Sequence, residues 1–496
     1  MKLWPLLHIR MIHSFCLSSK LPRFRPLGMP GLATLILLLL SVGMAAAQAE
    51  VWPPPTNISN TSLISQAPVI AADYSGRVHV IWGENLSGEA RANPDTAFYS
   101  TLIDGAWSPP VDVIAVASGN YLSPAALAVD PFGRLVFVYT RNGGLSVSIA
   151  PVEAAGTARG WVTIDLETTS RINSASLAIG RFGEYHLVYI RNEREVIYVR
   201  SADGGMNWST PALVASAELG TRAVISPHVA VDDRGGVYVT WTQTAEEISW
   251  SPIGIWFARS PDEGMTWDTP QEMVGGPGNG SSTLLFMEPD TVHLFWIGSG
   301  GTRGRYHRYS LDRGVTWSNT ITALSTDLTG FAGRGYLLLA SDNVLHVVVP
   351  GADAERNSIW HSTWNGSGWA APRRISGDLP DSEGAYATIG QGHVLHVVWN
   401  ELQGGEIWYT SLDTGSSAVV LQVQPTPTTA NIAIVMPPTA TPSAMSTPSR
   451  TEPQIQAFAQ DISTIPRTSN STSALLIGVV PAALLVIVVV LLKARR

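Results

Sequence analysis

Ser310-Leu311-Asp312-Arg313-Gly314-Val315-Thr316-Trp317 is the stretch on which the fold turns. Serine and aspartate two residues apart can satisfy backbone donors of a tight turn. A glycine two further on takes a dihedral that side chains resist, and a tryptophan three beyond it covers the turn with an apolar plate. The same spacing returns as Ser201/Asp203/Gly205/Trp208 and as Ser260/Asp262/Gly264/Trp267. Ser362/Gly366/Trp369 lacks the aspartate, Ser411/Asp413/Gly415 lacks the tryptophan, Ser100 and Trp107 keep only the ends, and Trp161 marks one more copy. These residues are expected to be structural rather than catalytic.

Outward from these turns runs a longer pattern of alternating apolar residues ending in an aromatic. One position in it is occupied by His79, Val136, His186, Tyr238, His293, His346 and His396, each about fifty residues after the last. Strand-like alternation at that period predicts an all-β chain built as a seven-bladed β-propeller, with six blades as the alternative. Asp73 to Gly76, Asp130 to Gly133, Gly180 to Gly183 and Asp232 to Gly235 read as hairpin turns within the blades. The histidines read as packing residues, with no metal expected.

The Ser-x-Asp-x-Gly-x-x-Trp motif resembles the Asp-box, or bacterial neuraminidase repeat, of the sialidase-like propeller superfamily. The resemblance covers roughly residues 51 to 421 and is specific for fold, since such propellers include glycosidases, receptors and assembly factors. Sialidases of this kind have six blades, so seven is a departure. They also carry an arginine in a Phe/Tyr-Arg-Ile-Pro segment of the first inner strand. Here Ser65-Gln66-Ala67-Pro68-Val69 stands in that place and has no arginine. Such an enzyme further needs two more arginines, a tyrosine nucleophile paired with a glutamate, and a separate acid.

The last repeat stops after Ser411-Leu412-Asp413-Thr414-Gly415, and Val51-Trp52-Pro53-Pro54-Pro55 with the following Thr56-Asn57-Ile58-Ser59 resembles the outer strand it lacks. The N-terminal segment is therefore expected to complete the last blade and remove an open edge.

Both ends read as membrane signals. Residues 1–49 are expected to be a signal peptide, with an apolar core from Ala33 to Met44 and a small-x-small site at Ala47-Gln48-Ala49. The propeller is expected over 50–421 and a Pro/Thr/Ser-rich stalk over 422–472. A transmembrane helix over 473–492 and a basic cytoplasmic tail over 493–496 follow. Basic residues after the apolar run place the propeller outside the cell, on a single-pass anchor. Cys16, the one cysteine, lies in the leader, so the remainder has no thiol for a disulfide, a zinc site or a nucleophile. A net charge of −8 gives no support to nucleic-acid binding, which needs a basic face.

Binding residues are sought on the face opposite the Asp-box turns, where the loops Glu84 to Thr96, Thr242 to Gly254, Gly298 to Gly304 and Gly351 to Ser358 vary in length. Arg141 and Arg191, each in a Tyr-x-Arg-Asn segment, are candidates for a fork-like clamp on a carboxylate or sulfate. Glu84 and Glu401 are candidates to orient them or accept sugar hydroxyls, and Arg222 is a further candidate. No cofactor is implied and no catalytic residue is assigned. The leading reading is a non-catalytic surface module for an extracellular glycan, polymer or protein. The others are an exo-acting glycosidase of the sialidase type and a structural cell-envelope platform.

Overall fold

The computed structural model describes residues 51–86, 93–117, 119–217, 222–245, 251–299, 303–324, 328–330, 333–420 and 422–424. The expected leader, the stalk beyond Gln424, the apolar C-terminal run and the basic tail lie outside them. Among the described residues no helix is long and apolar enough to cross a membrane.

Seven antiparallel sheets follow one another along the chain. The six-bladed alternative is thereby corrected: each copy of the fifty-residue pattern makes its own sheet. Blade 1 runs Ser65–Ala72, Val78–Glu84, Thr96–Ile103 and Val111–Ala115, with Ala106–Trp107 as an extra short strand. The inner strands of blades 2 to 7 are Leu122–Val129, Ile172–Ile179, Arg222–Val231, Asn279–Met287, Tyr336–Leu339 and Ser382–Gly390. The second strands, such as Tyr185–Arg191 with every residue but the last buried, read as apolar runs because blades cover both their faces.

The core is divided into seams. Val69, Ile81 and Tyr99 of blade 1 pack on Phe137 and Tyr139 of blade 2, and each later pair of blades repeats this. The last seam joins Val398 and Ile407 to Val80 and Trp82, with Ile58 of the N-terminal segment packed among them. Thr56–Asn57 is the outer strand of blade 7, with Thr56 opposite Tyr409 and Asn57 opposite Trp408. The Ile58 amide donates to the Ile407 carbonyl at 2.9 Å. The expected closure by the N-terminal strand is thus present, and the ring has no open edge at its junction.

Inner strands begin on one face, here the upper, and end in the aspartate turns on the lower. Asp73, Asp130 and Asp232 each accept two turn amides on Oδ1, at 2.8–3.0 Å. The three complete Ser-x-Asp-x-Gly-x-x-Trp segments share one construction on the same face. Ser310 Oγ donates to Asp312 Oδ1 at 2.7 Å and accepts the Gly314 amide at 2.7 Å, while Asp312 accepts the Thr316 amide at 2.8 Å. Ser201 with Asp203 and Ser260 with Asp262 make the same bonds. Gly264 and Gly314 have φ of +87° and +84° and lie against Tyr198 and Phe257 of the preceding blade. Trp267 and Trp317 stand edge-on to those same two rings, at 5.3 and 5.2 Å. Trp208 packs beside Tyr185 and donates to the Gly205 carbonyl. All twelve residues therefore do structural work, gluing each turn to its neighbour.

The recurrent histidines are buried and tie the second strand to the third. His79, His186 and His396 bond Tyr99, Tyr198 and Tyr409 at 2.7–2.8 Å, and His293 and His346 bond His307 and His361 at 2.9 and 3.0 Å.

Candidate functional site

On the upper face the inner strands do not pair regularly up to their ends. The register shifts at Gln66/Val69, Pro124/Ala126, Ile172/Ser174, Ile225/His228, Gly280/Thr283 and Glu383/Tyr386. A bulge bends a strand and turns its residues away from the ladder. Ala67, Ser226, Ser281 and Gly384 take φ of +49°, +52°, +50° and +60° there. Counted from the pairs below the bulges, one slot recurs around the ring: Ala67, Pro124, Ser174, Ser226, Ser281, Arg334 and Gly384. Six of the seven line a central depression of about 270 Å³, together with Ser123, Asn173, Tyr336 and Tyr386. Below it lies a smaller chamber of about 160 Å³, where His228 joins Arg334 and the two tyrosines.

Among the described residues Arg334 is the one cation lining either space. It reaches from blade 6 to blade 4, donating through Nη2 to the Pro227 carbonyl at 2.8 Å, while its Nε has no hydrogen-bond partner among the described residues. Tyr336 and Tyr386 lie with ring centroids 5.1 Å apart, and burial pushes the Tyr336 hydroxyl well above its ordinary pKa. Burial, with the charge of Arg334 added, keeps His228 neutral. Its Nδ1 accepts the Leu284 amide at 3.2 Å, which leaves Nε2 protonated toward Thr283. On the blade 7 side, burial raises the Glu383 carboxyl, whose Oε1 accepts from Asn400 at 3.5 Å.

A second arginine organises the approach. Arg305 is fully buried, and burial lowers its pKa to about 10. Its guanidinium donates to the carbonyls of Pro350, Gly304, Leu328, Thr329 and Gly330, so it fixes a segment shortly before Arg334. Sequence reasoning missed both arginines. Lining up the bulge slot across seven repeats reveals Arg334, since six of its counterparts are small or proline.

The residues expected to bind ligand are placed differently. Glu84 is fully buried, and its Oε1 accepts from Trp82 at 2.7 Å, Ser65 at 2.8 Å and Thr61 at 3.1 Å. It cannot reach a sugar, because it closes the junction between two strands of blade 1. Glu401 is buried too, and it caps its own turn by accepting the Gln403 and Gly404 amides. Both glutamates are corrected to structural roles, and neither orients an arginine. Arg141 and Arg191 do sit on the upper face, on adjacent blades. Arg141 pairs with Asp165, and Arg191 with Glu195 at 2.7 Å, so each guanidinium is held by a carboxylate of its own blade in place of the expected fork. Neither lines the depression. The Arg222 backbone pairs with Ala245 at the upper end of blade 4, and its side chain lies outside the described residues. Among the described residues no group of three or more His, Cys, Asp or Glu is placed to hold a metal ion.

No protein-family model matches the chain, and no curated protein does. Solved structures similar to it include an ulvan lyase of a new polysaccharide lyase family, at 10% identity and a TM-score of 0.49 over 74% of this chain and 94% of that one. A Hadza microbial sialidase, Hz136, is 16% identical with a TM-score of 0.42 over 71% and 66%. An α-L-arabinanase of Penicillium chrysogenum, complexed with arabinobiose, is 14% identical with a TM-score of 0.42 over 74% and 99%. At these identities no site residue passes from one chain to another.

Proposed function

We propose that this protein is a non-catalytic binding module, held outside the cell on a stalk and a single membrane span. Its central depression takes an anionic sugar of a glycan or extracellular polymer. The observation that carries this reading is Arg334, the one cation among the described residues in a ring of serines and asparagine beside two tyrosines. A guanidinium suits a carboxylate or sulfate, aromatic rings suit the apolar face of a pyranose, and the hydroxyls suit its edges.

The same lining argues against hydrolysis. Glycoside hydrolysis of the usual kind needs two carboxylates flanking the bond. Among the described residues neither the depression nor the chamber below is lined by one, and Arg334 stands there without two further arginines. Tyr336, with its pKa raised, is poorly suited to act as a nucleophile.

The test takes the full chain in mild detergent, with calorimetry against glucuronic acid, N-acetylneuraminic acid and neutral glucose, and with a fluorogenic sialoside assay alongside. The expected result is binding of an acidic sugar but not glucose, weakened at least about tenfold in Arg334→Ala, without turnover. Binding that survives Arg334→Ala but fails in Arg141→Ala or Arg191→Ala moves the site to the rim. Turnover abolished by Arg334→Ala makes the protein an enzyme and overturns the reading.

A further inference from the structure

The lower face carries a feature that neither the turns nor the depression needs. The residue after glycine in the three complete turns is Met206, Met265 and Val315, with exposures of 63%, 77% and 52%, and Leu311 in the third turn is 69% exposed. These tips stand on turns locked by their own hydrogen bonds, so they cannot fold inward. The matching residue is Ser367 in blade 6, Ser416 in blade 7 and Gly105 in blade 1. The most exposed apolar tips therefore form an arc on blades 3, 4 and 5, with Ile103 of the blade 1 turn less exposed at 44%.

The chain leaves the propeller on this same face. Ser417 accepts from Ser341 Oγ, the Val419 amide donates to the Gln391 carbonyl at 2.8 Å, and the Gln424 amide donates to the Pro131 carbonyl at 2.7 Å. The exit thus runs under the ring from blades 6 and 7 to blade 2. There it borders a groove shared with Phe132 and with Phe182 of blade 3, itself 69% exposed. Phe182 brings the apolar arc to the exit point. Roughly fifty residues then separate Gln424 from the apolar run beginning at Ala474.

We propose that Phe182, Met206, Met265, Leu311 and Val315 form a bilayer-docking arc that enters the interfacial zone of the membrane holding the protein. The proposal rests on the anchored reading above. A few apolar tips bind a bilayer weakly by themselves, and a tether turns that into an intramolecular event at high effective concentration. Docking through the lower face leaves the depression on the opposite face pointing outward.

The test uses the full chain, with Cys16 replaced by serine, in phosphatidylcholine nanodiscs. An environment-sensitive dye is placed at Met265→Cys or, on the upper face, at Thr168→Cys, and quenching by spin-labelled lipid is measured. Quenching at 265 and not at 168 is expected. It should fall about tenfold when Met206→Asp and Val315→Asp are added, with an unchanged melting temperature showing that the turns stay folded. Equal quenching at both sites, or none at 265, overturns the arc, the latter being the result if a protein is the true occupant. A chain that does not enter nanodiscs overturns the anchor and the arc with it. Loss of acidic-sugar binding in Arg334→Ala, measured separately, bears only on the depression.

Discussion

The two faces of the propeller are ends of the same strands, yet they are finished in opposite ways. Below, the aspartate turns and the Ser-x-Asp-x-Gly turns accept their own backbone amides and lean on adjacent blades. Above, the inner strands break register and open onto the depression that Arg334 lines. Self-contained turns can be copied from blade to blade without reference to function. Bulged strands spend their regularity on presenting side chains, and there the blades diverge: the shared slot is serine in blades 3, 4 and 5 but alanine, proline, arginine and glycine in the others. Stability and recognition are thus segregated to opposite ends of each strand.

Acid should erase the contrast altogether and gives the largest effect. Burial holds His186, His293, His346 and His396 at about 4, and His307 and His361 at about 3. These values are depressed, so the unfolded chain takes up protons first. Stability is fully present above about pH 6.5, the ordinary histidine value, and is lost as pH falls toward 4 and below. Chemical denaturation at a series of pH values should show a plateau above that point and a steep decline beneath it; a flat profile down to pH 4 would sink the account.

Next comes a change that damages only the lower face. Gly264→Ala forces a side chain into φ +87°, with its Cβ 2.0 Å from the Tyr198 ring. A loss of about 3–4 kcal/mol is expected in equilibrium unfolding. Ser310→Ala, which strips the Gly314 amide and Asp312 of one partner each, should cost about 1–2 kcal/mol. Sugar affinity should hold in both variants wherever they remain folded. The smallest effect on stability belongs to the upper face: Arg334→Ala removes one bond to a carbonyl and should shift unfolding by less than about 1.5 kcal/mol. A larger loss in Arg334→Ala than in Ser310→Ala would reverse the comparison.

This division also explains what the sequence disclosed. The blade count, the turn residues and the N-terminal closure were legible because each is a local pattern repeated with its physics intact, as in Asp262 and Asp312. The binding face was legible as a face, but its residues were not. Glu84 and Glu401 stand where a strand ends at the upper surface, and spacing alone does not show that Trp82 and Ser65, or the amides of Gln403 and Gly404, claim them first. Sequence spacing does not show that Asp165, two strands away in its blade, and Glu195, on the next strand, claim Arg141 and Arg191. Arg334 was hidden by its own blade, where Gly333-Arg334-Gly335 precedes an inner strand of only four residues and blurs the repeat.

The seam between blades 7 and 1 governs how such a molecule is made. Ser59 accepts the Ile407 amide across 348 residues of chain. A ribosome delivers the N-terminal strand first and its partner last. For nearly the whole of synthesis the blades can stack only as an open arc, exposing one raw sheet edge at each end. Joining those edges is the final step of manufacture, and it must await the strand Ile407–Asp413. Any chain stopped short of that strand is a row of blades that cannot become a ring.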